Sequence, residues 1–129
     1  MLKEGIQGFA KEIVTDDKTA AAVGSGLLPV YATPAMIALV EKAAWSSVAD
    51  YLPGGDGTVG TRMDIRHVSA TPTGMEICAK TVLTKADGRK LVFSAEVYDG
   101  AGLIGEGVHE RFIVHNEPFL DKALKKQKS

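Results

Sequence analysis

The sequence predicts an α+β domain in which one curved antiparallel sheet of about five strands wraps round one long central helix. Three observations carry that prediction. The apolar run from Ala35 to Val40 sits inside a stretch punctuated like a helix and shows no polar face of its own. Four stretches of alternating residues follow, Thr58–Val68, Met75–Lys85, Lys90–Tyr98 and Leu103–Val114. Short turn clusters separate most of them, which favours antiparallel neighbours over long crossovers. With 129 residues and 45% hydrophobic composition, the chain has material for one core and hardly for two. We therefore read residues 1–129 as a single domain, with a flexible basic tail over about 119–129.

Each element has its local reason. Residues 4–14 contain Gly5 and Gly8 and end in the β-favouring pair Ile13-Val14, which predicts a first strand. Thr15 to Gly26 reads as a short helix or a mobile loop ending at Gly24-Ser25-Gly26, and either a lid or a plain connection fits it. Thr33 has the hydroxyl of an N-cap and Pro34 suits a first helical turn, so the helix should start there and end near Tyr51-Leu52-Pro53. After the turn cluster Gly54–Gly57, strand alternation puts Val59, Thr61, Met63, Ile65 and His67 on one face and Arg62, Asp64 and Arg66 on the other. Asp87-Gly88 predicts a hairpin turn, and Asp99–Gly102 another. The phase of the last strand is ambiguous: Ile104, Val108, Phe112 and Val114 oppose Leu103, His109, Arg111 and Ile113. Burial on both faces, or a bulge at Gly105 or Gly107, would produce that pattern.

Composition excludes several classes of function. A formal net charge of −1 gives no overall attraction to nucleic acid or acidic lipid. Lys122, Lys125, Lys126 and Lys128 read as a solvated, frayed end. The single cysteine, Cys78, rules out an intrachain disulfide and a cysteine metal cluster, and no metal-ligand spacing or phosphate-binding glycine loop is present. The start of the chain lacks the pattern of a signal peptide, and the apolar runs are too short to span a bilayer. The expectation is a cytoplasmic protein with no metal, no cofactor, no nucleic-acid partner and no membrane contact.

Three polar residues converge on the helix side of the predicted sheet: Thr33, Glu41 and His67. Each has an ordinary alternative: a plain cap for Thr33, the wet edge of the helix for Glu41, a satisfied structural histidine for His67. Thr33 and Glu41 lie about 12 Å apart along the axis if both are helical, so they cannot touch. A bent loop at Thr33, a substrate spanning the gap or a second subunit would have to connect them. His109, flanked by Glu110 and Arg111, reads as part of a local charge network, and His115 as an exposed strand end.

The motifs Val30-Tyr-Ala-Thr-Pro-Ala-Met with Glu41, Thr58-Val-Gly-Thr61 leading to His67, Ala70-Thr-Pro-Thr-Gly74 and Gly107-Val-His-Glu-Arg111 resemble the hotdog-fold thioesterases of the fluoroacetyl-CoA thioesterase type. The resemblance implies the hotdog fold and hydrolysis of an acyl-CoA thioester at a homodimer interface, coenzyme A entering only as part of the substrate. It implies Thr33, Glu41 and His67 as the catalytic set and Gly60, Leu27 and Tyr31 as substrate contacts, with a backbone N–H near Gly60 favoured for the oxyanion. His67 would be base or proton relay. Glu41 would orient it or attack the carbonyl, and Thr33 would position water or be acylated. Members selective for a fluorinated acyl group carry aromatic side chains ahead of the threonine, whereas Thr15–Val30 has none. A short, medium or aryl acyl group is therefore an equal expectation. Two rival functions use the same shape, an acyl-CoA dehydratase or hydratase and a non-catalytic acyl-CoA-binding protein.

Overall fold

Residues 2–128 are described by the structure, a computed structural model. The elements run β1 (Gln7–Ile13), α1 (Ala20–Val23), α2 (Thr33–Ala49), β2 (Asp56–His67), β3 (Glu76–Asp87), β4 (Lys90–Asp99), β5 (Gly102–His115) and α3 (Asn116–Leu124). The strands form one antiparallel sheet in the order β1-β3-β4-β5-β2, so the strands either side of α2 in sequence are the two edges of the sheet. Among the described residues, no helix is long and apolar enough to cross a membrane.

The core lies between α2 and one face of the sheet. Met36, Leu39, Val40 and Ala43 pack with Ile77, Ala79, Ala95, Val97 and Ile104 near the start of the helix. Ala44 and Val48 pack with Leu83, Leu91 and Phe93 near its end. Each large side chain buried this way contributes about 1.5–3 kcal/mol relative to exposure, which makes the helix–sheet seam the main source of stability. Gly8 marks its tightest point, since a Cβ there would sit 2.2 Å from the Ala43 carbonyl oxygen. The sheet covers one side of the helix only: the flank beside β2 stays open, with Ala38, Trp45 and Ala49 exposed and Ile37 only partly covered.

Of the sheet's three register shifts, the two in β2 and β5 bear on the site. Opposite β5, Gly60 pairs with Arg111 and Arg62 with Glu110, leaving Thr61 as an extra residue in β2. The inward set is therefore Thr58 and Gly60 before the bulge, then Met63, Ile65 and His67 after it, and the unbroken alternation predicted through Val59 and Thr61 is corrected. In β5 the extra residue is Ile104, between the pairs Val97–Gly105 and Tyr98–Leu103. The bulge thus falls at Ile104 rather than at Gly105 or Gly107, and beyond it His109 and Arg111 are buried while Val108 and Phe112 stay exposed, with Val114 of their phase buried near the strand's end.

The segment 15–30 is more ordered than a mobile loop. Thr19 caps α1 by accepting from the Ala22 amide, and Gly24 closes it in a left-handed conformation at φ 82°. Backbone bonds from Ala20 to Val30, Ala21 to Leu28 and Ala32 to Lys18 tie its two ends together. The C-terminal stretch has local structure as well. Residues 116–124 form α3, because Pro118 falls in the first turn, where a missing N–H costs nothing. The helix lies on the surface with no buried residue; Ser129 lies outside the described residues.

Candidate active site

Thr33 opens α2 without capping it. The N-cap is Ala32, in an extended conformation, and its carbonyl accepts the first helical bond from the Met36 amide at 3.1 Å. The Thr33 hydroxyl, expected as a cap, is thereby left free, and it lies 2.7 Å from Nδ1 of His67. His67 ends β2 on the inward phase, paired across the sheet with Gly105. Tyr31 meets the imidazole edge-on, with ring centroids 6.5 Å apart. Nε2 of His67 is buried and has no partner among the described residues. Burial lowers the histidine pKa, and the backbone at Ser69 opposes it only partly, so the neutral ring prevails at neutral pH. A neutral imidazole against a free hydroxyl is the arrangement that lets nitrogen take a proton from oxygen.

The pair opens onto a cleft of about 340 Å³ lined in part by Ala20, Ser25, Val30, Val68 and Ser69. Tyr31 lines it through its ring, while its hydroxyl turns away to Glu12 at 2.5 Å. Burial and the neighbouring Glu12 push the Tyr31 phenol far above its usual range, so it stays protonated. Leu27, expected as a substrate contact, is 94% exposed and does not line the cleft within this chain. It projects from the loop after α1, where no core side chain reaches it.

Glu41 stands two turns further along α2, in a second cluster. Its Oε2 accepts from Arg111 Nη1 at 3.2 Å. Arg111 is 5% exposed and is gripped from several sides: Nε donates to Thr58 Oγ1 at 2.8 Å, Nη2 to the Thr58 carbonyl at 3.0 Å, and Nη1 also to His109 Nε2 at 3.1 Å. Burial lowers the guanidinium pKa and Glu41 counters it, but an arginine keeps its charge at any pH a protein tolerates. Gly60 completes the cluster. A Cβ there would fall 2.5 Å from Glu41 Oε2 and 3.3 Å from both Arg111 Nη1 and His109 Cε1. The structure thus joins Thr33 to His67 and Glu41 to Gly60, and it keeps the two pairs apart on one helix. Of the three ways to connect them, a bent loop at Thr33 is excluded, since Thr33 is helical.

His109 and Arg111 were read as a local charge network, outside the expected catalytic set. The available signal was the buried phase of β5: an arginine on an inward strand position demands a carboxylate partner, and Glu41 is the one α2 offers. Among the described residues, no group of three or more His, Cys, Asp and Glu side chains is placed to hold a metal.

A family model described as fluoroacetyl-CoA-specific thioesterase matches residues 14–117. The chain belongs to this family. It is 37% identical over 97 residues to the fluoroacetyl-CoA thioesterase of Streptantibioticus cattleyicolor, covering 75% of this chain and 70% of that enzyme. The solved structure of the fluoroacetyl-CoA thioesterase FlK superposes with a TM-score of 0.93 at 30% identity, covering 98% of each chain. A FlK variant with threonine replaced by serine, solved with acetyl-CoA, gives 0.92. A hot-dog-like protein from Thermanaerovibrio acidaminovorans shares the fold, with a TM-score of 0.87 at 20% identity over 99% of this chain and 94% of that one. The sheet curled round α2 is thus the hotdog fold, and the chain is a thioester hydrolase of this family.

Within the family frame, Gly60 gives the sharpest local test. Gly60→Ala is expected to lower kcat by about ten- to a hundredfold, because the new methyl displaces the Glu41 carboxylate by an ångström or so. Thermal stability should change little, as the atom that gives way ends a flexible side chain. Thiol-release kinetics beside a melting curve check both halves, and a G60A enzyme running at the parental rate would remove Gly60 from the site.

Proposed function

We propose that the protein hydrolyses an acyl-CoA thioester to the free acid and coenzyme A, and that Thr33, His67 and Glu41 do the chemistry in a homodimer. The observation that carries this reading is the Thr33–His67 pair at 2.7 Å, with a hydroxyl that no helix cap consumes. His67 Nδ1 takes the proton of the Thr33 hydroxyl, or of a water held there, as the oxygen attacks the thioester carbonyl. The C–S bond breaks and the electron pair leaves on sulfur as coenzyme A thiolate, which picks up the proton from His67 or from solvent. If Thr33 is the attacking group, a water delivered by the same imidazole then releases the acid. Coenzyme A enters as part of the substrate and the reaction needs no cofactor.

Dimerisation answers the separation of the two clusters. The β2 strand is an unpaired edge, and the flank of α2 beside it is apolar and open, so a second copy would cover both. Antiparallel pairing of β2 with β2 about a two-fold axis lays its His67 end against the Asp56–Gly60 end of the other strand. There Glu41 of the partner subunit would face Thr33 and His67. Its carboxylate would orient the water and steady the charge that develops on the imidazole, and a backbone N–H near Gly60 of the partner subunit would meet the oxyanion.

The acyl group is the point on which this chain departs from a fluoroacetyl specialist. The cleft-side residues of segment 15–30 are small, with Ala20, Ser25 and Val30 as its contribution, and that segment brings no aromatic ring to the cleft. We expect thiol release from acetyl, longer and aryl acyl-CoAs, without the selectivity for the fluorinated substrate. The histidine adds a second readout. Its neutral form is the base and its pKa is depressed, so kcat/KM should be flat through neutral pH and fall only as pH drops below the ordinary histidine value of 6.5. A panel of acyl-CoAs with a thiol-reactive dye tests the reading, and an enoyl absorbance change without thiol release would sink it.

A further inference from the structure

His109 lies outside every role assigned so far, yet it is the most enclosed titratable side chain of the second cluster, at 1% exposed. Its two nitrogens have partners of opposite kind. Nδ1 faces the Arg62 carbonyl at 2.8 Å, and a carbonyl can only accept, so Nδ1 carries the hydrogen. Nε2 faces Arg111 Nη1 at 3.1 Å, and a guanidinium can only donate, so Nε2 offers its lone pair. The neighbours therefore fix one neutral tautomer. Phe93 stacks on the ring at 6.2 Å and 29°, directly across the β4–β5 pair, and prevents it from turning.

Arg111 Nη1 has two hydrogens, one for His109 and one for Glu41. From this shared nitrogen we propose that His109 is a positioning residue, which holds the guanidinium at the place and tilt that present the Glu41 carboxylate to the reaction. This rests on the role given to Glu41 above. A histidine of purely structural purpose would need only its packing and its bond to Arg62. A buried lone pair needs a donor in any case, but the donor here is the same nitrogen that holds Glu41, so the ring's position is passed on to that carboxylate. Burial, and then the adjacent Arg111, hold the imidazole pKa below its usual value despite the opposing pull of the Arg62 carbonyl and Glu41, so the ring keeps its lone pair.

The test separates the two nitrogens. Asparagine at 109 can place a donor near the Arg62 carbonyl but cannot reach Arg111, while the longer glutamine can offer an oxygen to Arg111. Expected is a fall of about tenfold or more in kcat for His109→Asn, with KM changed far less and the loss exceeding what its melting temperature explains. His109→Gln should recover most of that loss, and His109→Phe, which keeps only the packing, should behave like H109N. Parental kcat in H109N, an H109Q enzyme as slow as H109N, or losses that follow melting temperature across the three variants would each overturn the proposal. Glu41→Gln is run beside them. If E41Q is slow and H109N is parental, this inference fails alone; if E41Q is parental, the reading of Glu41 fails and takes this one with it.

Discussion

Replacing Thr33 by alanine, or His67 by alanine, is expected to cut kcat by about 10²- to 10⁴-fold, the range that loss of a positioned proton acceptor or its nucleophile costs. The two single variants and the double variant should be nearly equally slow, because the hydroxyl and the imidazole act as one unit at 2.7 Å and removing either disables both. Thr33→Ser should retain much of the rate, since it keeps the oxygen. Thr33→Ala has a second, contrasting expectation. A threonine that capped the helix would cost about 1 kcal/mol on truncation to alanine. The hydroxyl makes no cap bond here, so T33A should melt close to the parent. A T33A protein that lost stability and kept its rate would return Thr33 to the role of a cap and end the catalytic assignment.

The second large effect is recovery of activity by mixing. A Glu41→Gln enzyme and a His67→Ala enzyme should each be slow alone. If the site takes Thr33 and His67 from one subunit and Glu41 from the other, a hybrid dimer of the two variants has one site carrying both lesions and one carrying neither. Random exchange makes about half of the dimers hybrids with one of two sites intact, so an equimolar mixture should reach about a quarter of the parental activity. A site complete within one chain predicts no gain at all, because every site would then keep one lesion. Co-expression with two tags, purification of the hybrid and thiol-release kinetics distinguish the outcomes. A hybrid no faster than its parents, alongside a dimer confirmed by sedimentation, would place all three groups in one subunit and demand a substrate-bridged mechanism instead.

The fold was largely legible in the sequence because its signals are periodic and local. Alternation in β2, β3 and β4, the turn at Asp87-Gly88 and the punctuation at Thr33-Pro34 all act over a few residues. The parts that were not legible depend on single residues whose effect is decided by a neighbour in space. Thr61 gives no sign of a bulge, since it is neither glycine nor proline, and only its pairing partner shows that it is extra. Pro118 and the lysines after it look like an end to structure, although a proline in a first turn begins α3. The Thr33–His67 pair could be anticipated from the motif and the strand phase. The Arg111 grip on Glu41 could not, because the two lie 70 residues apart and belong to the last strand and the helix. Reading β5 as a charge network around His109 rightly joined His109 to Arg111, but it included Glu110, which pairs instead with Arg62 and Lys90.

The bulge at Thr61 gives β2 something like a reading frame. Before it, Thr58 and Gly60 serve the Arg111 and Glu41 end of the helix; after it, Met63 and Ile65 fill the core and His67 reaches Thr33. A strand of strict alternation could keep either Gly60 or His67 turned inward, never both. One added residue therefore lets a single strand write two half-sites, and it fixes the spacing between them in a unit that point substitutions cannot change.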